Sequence, residues 1–181
     1  MPDTLTLPRG FPAPGDTTAG RRYLDELIAG IAREPSCMDR LSLPRPDTWA
    51  PGEVTAVTAF GADVLLNFGT VFGGHIAALI DHFAGLAMLT VLREGTAIVT
   101  AGLEVAYRAP LLPGPAVIEA RVRALGSRHA RVEVVFRQEG TVTSVGTVEQ
   151  VIVRAAAADV AAHVAPAHVA PGQEGDRLTV G

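Results

Sequence analysis

The sequence predicts an α+β fold in which a curved antiparallel β-sheet wraps around a long central helix. Two observations indicate this fold. The first is residues 67–92, where apolar or small side chains occupy every side of the helical wheel, as in a helix that is buried all round. The second is the sequence after this helix, which alternates with the two-residue period of strands and is divided by short turn segments. A buried helix followed by consecutive strands is typical of a sheet that packs on one helix.

Length and charge limit the class of protein. The 181 residues suit one domain with flexible ends. The net charge of −4, the absence of Lys and the scattered Arg residues argue against a nucleic-acid partner. The single Cys37 excludes an internal disulfide. The first residues lack a signal-peptide core and charges interrupt the apolar helix, so we expect a cytoplasmic protein that does not insert into a membrane.

The first 52 residues are predicted to precede the main domain. Residues 1–16 are rich in Pro and Gly and are expected to form a flexible arm. A helix is predicted from Thr18 to Arg33, where apolar residues recur at helical spacing, and Pro35 is expected to end it. The rest of residues 17–52 is predicted to be a turn-rich connector in which Trp49 anchors packing.

Residues 53–153 are predicted to form the main domain. Alternating Val-rich and Thr-rich segments predict strands at 53–60, 96–107, 115–126, 129–138 and 141–153. Because short Pro and Gly segments separate the last four strands, we expect them to form an antiparallel meander. Residues 154–181 contain the repeat Ala-His-Val-Ala-Pro and are predicted to be a flexible Ala/Pro-rich tail.

Asp81 is the one acidic residue inside the predicted central helix. Removing an unpaired carboxylate from water costs several kcal/mol, so a chain that keeps one in an apolar helix either pairs it tightly or uses it. We interpret Asp81 as a functional residue.

The residues around this helix form an ordered set: Asn67, Gly69, Phe72-Gly73-Gly74 and Asp81, then Thr100, and finally Tyr107-Arg-Ala-Pro110 with Gly114. This order resembles the hotdog-fold acyl-CoA thioesterases, in particular the PaaI-like branch. That branch has Asn, a Gly-containing turn, His-Gly-Gly, and an Asp eight residues after the first Gly. The resemblance covers residues 53–153 and implies the hotdog fold. Phe72 stands where the branch commonly has His, whereas a related acyl-CoA hydrolase branch has Phe-Gly-Gly.

These residue types suit the hydrolysis of a thioester. Attack of water on the carbonyl develops negative charge on its oxygen, and Gly73 and Gly74 supply backbone N–H donors at a helix N-terminus, where the dipole favours an anion. Asp81 is the expected general base or the nucleophile that forms an anhydride, and both roles remain open. Asn67 is expected to position the water or the carbonyl, and Thr100 to hold the water or Asp81.

One chain is not expected to complete such a site. Gly73 and Asp81 are eight residues apart, which corresponds to about 12 Å along a helix, too far for both to contact one reacting carbon. In a two-fold dimer with antiparallel central helices, Asn67 and Gly73 of one chain meet Asp81 and Thr100 of the other. The resemblance implies the same arrangement. We therefore predict a homodimer, alone or paired into a homotetramer.

Further residues are predicted to contact substrate. They are Phe72, Gly74 and His75 around the helix N-terminus, and Arg108, Arg128 and Arg131 as partners for the phosphates of coenzyme A. No metal or redox cofactor is expected, because coenzyme A is part of the substrate. Two alternatives remain open from the sequence: a hotdog hydroxyacyl dehydratase, which needs a His paired with an acid, and a non-catalytic module that binds acyl thioesters.

Overall fold

The computed structural model describes residues 18–32 and 35–154, which form a six-stranded antiparallel sheet with a long helix on one face. The helices are α1 (Thr18–Ile28), α2 (Ser36–Arg40) and α3 (Gly73–Leu89). The strands are β1 (Thr48–Ala50), β2 (Glu53–Phe60), β3 (Thr96–Tyr107), β4 (Gly114–Leu125), β5 (His129–Gln138) and β6 (Thr141–Arg154). This architecture confirms the predicted fold class, and the predicted strands agree with β2 to β6 to within a residue at each end. The predicted N-terminal arm and the tail from residue 155 lie outside the described residues.

The predicted four-stranded meander is wrong in its first strand. The sheet order is β1-β2-β4-β5-β6-β3, so only β4, β5 and β6 form a meander. The edge of β4 that β3 would need is occupied by β2, with Glu53 opposite Arg121 and Phe60 opposite Gly114. The chain therefore crosses from β3, paired with β6 at one edge, to β4 near the other. As a result β3 is a twelve-residue edge strand with one side unpaired in this chain.

The core lies between α3 and one face of the sheet. Along β4 and β5 every second residue faces the helix and is buried, as in the sequence from Val132 through Val134 to Phe136. Helix α3 contributes Ile80 and Phe83, both fully buried. On the opposite face of the sheet, charged side chains form cross-strand ion pairs, including Arg123 with Glu133 at 2.6 Å and Arg137 with Glu119 at 3.0 Å. One face of the sheet therefore packs on α3, and the opposite face carries charged side chains.

The prediction that the central helix is buried all round is wrong. Asp81 is exposed, and it lies within a stripe of small residues that the sheet does not cover. Gly74 is exposed, and Ala77, Ala78 and Gly85 are half-buried. These positions recur every three or four residues and therefore share one side of the helix. The exposed side could not be recognised from the sequence, because apart from Asp81 it consists of small apolar residues instead of polar ones.

Two differences from prediction occur before β2. Helix α1 ends at Ile28 instead of Arg33, because Gly30 adopts φ +73° and Ile31 N–H donates to Glu26 O at 2.8 Å, the bonding pattern of a glycine C-terminal cap. The predicted connector also contains α2 and β1. Trp49 packs against the core as expected, and its Nε1–H donates to Asp25 Oδ1 at 2.8 Å.

None of the helices in the described ranges has the length and apolar character needed to cross a membrane.

Close packing of α3 on β6 depends on Gly146. A Cβ at this position would overlap the Ile80 side chain. Because the cores of proteins are tightly packed, we predict that Gly146→Ala lowers the free energy of unfolding by about 1–3 kcal/mol. Gly102→Ala is the matched control, since its Cβ would first meet Glu149 Cβ at 3.8 Å. Denaturant unfolding checks both variants, and equal stability of the two would contradict the packing argument.

Candidate active site

The N-terminus of α3 presents two backbone amides without acceptors. His75 N–H and Ile76 N–H both donate to Phe72 O, at 2.9 and 3.2 Å. Gly73 N–H and Gly74 N–H have no acceptor among the described residues, and no side chain caps the helix. Free amides at the positive end of a helix form a site for an oxygen that carries negative charge.

A tight turn precedes these amides and carries Asn67. Leu66 N–H donates to Thr70 O at 2.8 Å, and Gly69 adopts φ +81° at the turn. Asn67 and Phe68 lie at its exposed tip. The turn continues into α3 through Phe72, whose N–H donates to Val64 O at 2.9 Å. The position of Asn67 relative to the helix N-terminus is therefore fixed by backbone hydrogen bonds.

The structure brings Asp81 and Thr100 together. Thr100 Oγ1 donates to Asp81 Oδ1 at 2.7 Å, and both residues are exposed. This is the one hydrogen bond that Asp81 makes to the described residues through its side chain. The carboxylate is thus oriented by one donor and retains free acceptor positions.

A β-bulge sets which side chains of β3 face α3. Thr100 pairs with Gln150 and Gly102 pairs with Glu149, which leaves Ala101 as the extra residue. Cross-strand partners share a face of a sheet. Tyr107 pairs with Ser144. Because Gln150 and Ser144 are buried on the helix side of β6, Thr100 and Tyr107 both face α3 although their separation is an odd number of residues.

Tyr107 contacts the helix N-terminus. Its hydroxyl donates to Gly73 O at 2.7 Å, and a Cβ on Gly73 would lie 3.2 Å from that hydroxyl oxygen. Sequence reasoning used Tyr107 only as part of a strand-exit pattern. The sequence contains one indication of this contact: a glycine inside a strand, here Gly102, is typical of a bulge, and a bulge at this point puts Tyr107 on the same face as Thr100.

One chain assembles two groups of residues but keeps them apart. Thr100 and Asp81 form one group, and Tyr107 with Gly73 and Gly74 forms the other. Since Gly73 and Asp81 belong to one unbroken helix, their separation along its axis is about 12 Å.

The three Arg residues predicted to bind phosphate lie in different places. Arg108 follows Tyr107, at the end of β3 near Gly73, and Arg128 lies in the turn before β5. Neither guanidinium has a hydrogen bond or ion pair with the described part of the chain. Arg131 Nε is 2.5 Å from Glu149 Oε1, on the sheet face opposite α3. Arg131 is therefore not brought together with Gly73 in this chain.

An open depression of about 410 Å³ lies beside Phe72 and His75. Leu41, Leu65 and Leu66 are among its apolar lining residues, together with Arg40, Ser42, Asp63 and Val64. The ring of His75 is buried and meets Phe60 edge-on, with 6.1 Å between ring centroids. Phe72 is 53% exposed and lies between this depression and Gly74.

Burial controls the charge of both histidines on α3. Desolvation lowers the pKa of His75, and the negative charge of Asp63 opposes this shift. Desolvation also lowers the pKa of His82, opposed by a hydrogen bond with the Pro44 backbone and by the charge of Asp81. Both rings therefore favour the neutral form. Within the described ranges, no group of three or more His, Cys, Asp or Glu residues is arranged to hold a metal ion.

Comparison with known proteins gives one family match and several structural neighbours. Residues 68–145 match the thioesterase superfamily. A phenylacetic acid degradation-related protein of Ralstonia eutropha has a TM-score of 0.64 at 20% identity, over 71% of this chain and 98% of its own. The PaaI protein of E. coli has a TM-score of 0.63 at 15% identity, over 74% and 96%. A thioesterase of Haemophilus influenzae has a TM-score of 0.64 at 18% identity, over 72% and 90%. No curated protein matches the sequence.

The chain has the hotdog fold, and residues 68–145 match a superfamily of thioester hydrolases. The matched residues run from the turn before α3 into β6. The predicted resemblance is thus confirmed, and PaaI and a phenylacetic acid degradation-related protein are among the structural neighbours.

The lowered pKa values of His75 and His82 predict an acid-dependent loss of stability. Below their ordinary pKa of 6.5, the unfolded chain takes up protons before the folded chain does, so the free energy of unfolding falls as the pH decreases through this range. Above pH 6.5 both rings are neutral in the folded and in the unfolded chain, so they do not make the free energy of unfolding depend on pH. We expect the double variant His75→Gln/His82→Gln to lose less stability than the native chain between about pH 7.5 and pH 5.5. Denaturant unfolding at both pH values measures this, and an equal loss in both proteins would contradict it.

Proposed function

We propose that this protein hydrolyses an acyl-CoA thioester to a carboxylate and free coenzyme A. The observation that carries the proposal is the exposed carboxylate of Asp81, oriented by Thr100, on the same helix whose N-terminus presents the free amides of Gly73 and Gly74. A carboxylate and a pair of fixed N–H donors are the two elements that hydrolysis of an acyl group requires.

In the proposed reaction the thioester carbonyl oxygen lies at the N-terminus of α3. Gly73 N–H and Gly74 N–H donate to this oxygen as negative charge develops on it, aided by the helix dipole. Asp81 removes a proton from the attacking water or itself attacks the carbonyl to form an anhydride that water then hydrolyses. The carbon–sulfur bond breaks, and the thiolate of coenzyme A leaves and is protonated. Asn67, on the exposed turn, orients the water or the carbonyl.

The proposed site lies between two copies of the chain. The helix separates Gly73 from Asp81 by about 12 Å, so a second copy must supply the missing group. Two surfaces of the described chain suit this role. The first is the small-residue stripe on α3, which is uncovered. The second is β3, in which no residue is buried and three large apolar side chains, Val99, Leu103 and Tyr107, are each more than 40% exposed. Long unpaired edges of this kind promote pairing with another strand.

In this homodimer, β3 pairs with its two-fold copy and the two α3 helices run antiparallel. Asn67 and Gly73 of one protomer then face Asp81 and Thr100 of its partner, which gives two equivalent sites. Arg108, just after β3 at its Gly73 end, and Arg128, in the turn before β5, both retain guanidinium groups without a partner in the described residues, which are available for the phosphates of coenzyme A. The acyl group extends toward Phe72 and His75. The reaction needs no metal or redox cofactor.

Two single variants test whether each site takes residues from both protomers. We expect Asp81→Ala and Asn67→Ala homodimers each to lose at least 10²-fold in turnover, measured as free thiol released from acyl-CoA. A heterodimer of the two variants, co-expressed with different tags and isolated with both, contains one intact site and recovers about half of the native activity.

The matched control is a heterodimer of the native chain with the double variant Asp81→Ala/Asn67→Ala. If sites are shared between protomers, this control has no intact site and is inactive. If each chain holds a complete site, the heterodimer of the two single variants is inactive and the control heterodimer keeps about half of the native activity. Folded dimers without turnover on aliphatic or aromatic acyl-CoA would overturn the proposed hydrolysis and favour a binding module. Turnover of a hydroxyacyl-CoA to an enoyl product would instead favour the dehydratase.

The hydroxyl of Thr100 is expected to act through Asp81. Thr100→Val removes the 2.7 Å hydrogen bond and leaves the carboxylate free to rotate, so we predict a loss of roughly tenfold in kcat. Thr100→Ser keeps the donor and should retain most of the activity. Steady-state kinetics on the best acyl-CoA compares them, and equal rates for the two variants would show that the hydroxyl has no role.

A further inference from the structure

The two glycines at the start of α3 have little intrinsic support. Glycine is the residue that loses most backbone freedom in a helix, and this N-terminus has two in succession, no capping side chain and no acidic residue in its first turn. Donors that stabilise a transition state must nevertheless be held in one orientation. Something outside the helix is therefore required to fix them.

Two aromatic rings contact this pair of glycines. A Cβ on Gly74 would lie 2.5 Å from Phe72 Cε1, and a Cβ on Gly73 would lie 3.3 Å from Tyr107 Cζ. The rings thus cover one face of each residue. Tyr107 adds a hydrogen bond from its hydroxyl to Gly73 O at 2.7 Å. The same ring is 55% exposed, so burial of the phenol alone does not explain its position.

The acceptor of this bond belongs to the peptide group that carries Gly74 N–H. A peptide group is planar, so fixing the carbonyl of Gly73 also fixes the direction of the Gly74 N–H. The carbonyl oxygen has a second lone pair besides the one used in the helix. A hydrogen bond to a peptide carbonyl also polarises the group and strengthens donation by its N–H.

We infer that Tyr107 is a positioning residue for the thioester hydrolysis proposed above: its hydroxyl orients and polarises the Gly73–Gly74 peptide, and through it the Gly74 N–H that receives the developing oxyanion. This inference rests on the proposed function. The bulge at Ala101 makes it possible, because in a regular strand Tyr107 and Thr100, which are seven residues apart, would face opposite sides of the sheet.

The test compares Tyr107→Phe with Thr96→Val. Tyr107→Phe keeps the ring and removes only the hydroxyl. Thr96 is the first residue of the same strand, and its hydroxyl also donates to a backbone carbonyl, that of Arg93 at 2.5 Å, far from the helix N-terminus. We expect Tyr107→Phe to lower kcat roughly 5- to 30-fold with KM changed less than twofold, a smaller loss than deletion of an oxyanion donor. Thr96→Val should leave both constants unchanged.

A second measurement reports on the peptide itself. Gly-Gly occurs once in the sequence, so glycine labelled with ¹³C at its carbonyl and with ¹⁵N produces a single directly bonded carbonyl–nitrogen pair, that of Gly73 and Gly74. One HNCO peak therefore records both ends of this peptide. Loss of the hydrogen bond should move the ¹³C and amide ¹H signals upfield in Tyr107→Phe and leave them unchanged in Thr96→Val.

The two measurements separate the possible failures. An unchanged HNCO peak in Tyr107→Phe, or a kcat equal to that of Thr96→Val, overturns the role of Tyr107. A parallel change in KM and kcat with a loss of folded protein also overturns it, since that result indicates a structural effect. If the native chain hydrolyses no thioester, the proposed function fails on its own, and the HNCO peak still decides whether Tyr107 holds this peptide.

Discussion

The rigidity of α3 is the constraint on which the site depends. A helix fixes the distance between any two of its residues, and here it separates two backbone donors at its first turn from a carboxylate two turns later. No side-chain rotation removes a separation of about 12 Å. In the proposed site, the Gly73 amide and the Asp81 carboxylate of one helix therefore belong to two different sites, and a second copy completes each site through the uncovered stripe beside Asp81 and the open edge of β3.

Packing holds this helix in place against the sheet. Fully buried residues such as Ile80 and Phe83 face β4 to β6, and Gly146 leaves the space into which Ile80 fits. The edge strand then makes two directed contacts with the helix, one from Thr100 to Asp81 and one from Tyr107 to Gly73. The apolar core sets the position of the helix, and the two hydroxyl groups set the orientation of its polar atoms.

The sequence predicted most of the fold because strand periodicity is a local property. Alternation gave the bounds of β2 and β3, and Gly140 marked the last hairpin. It did not predict that β3 lies at an edge, because strand order depends on which strands compete for a partner, and β2 takes the place beside β4. It also missed α2, which is only five residues long.

The candidate site was predicted from the spacing of Asn67, Gly73 and Asp81, and the resemblance to hotdog thioesterases rests on the same residues. The exposure of Asp81 was not predicted, because small apolar residues look alike in sequence whether a core or a second subunit covers them. Tyr107 was not predicted as a contact of Gly73, because a bulge reverses the faces of a strand and hydrophobic alternation on an edge strand is too weak to reveal it.

The bulge at Ala101 has a consequence for how this family of sequences can change. In the proposed dimer, each β3 strand orients Asp81 for one site through Thr100 and Gly73 for the other site through Tyr107. As long as the bulge is kept, an insertion or deletion of one residue between Gly102 and Tyr107 would turn Tyr107 away from α3, whereas a change of two residues would preserve its orientation. Edge strands usually accommodate variation in length. In this strand the segment between the bulge and Tyr107 can change in length only by an even number of residues, and because each β3 strand serves both proposed sites, any other change would affect both.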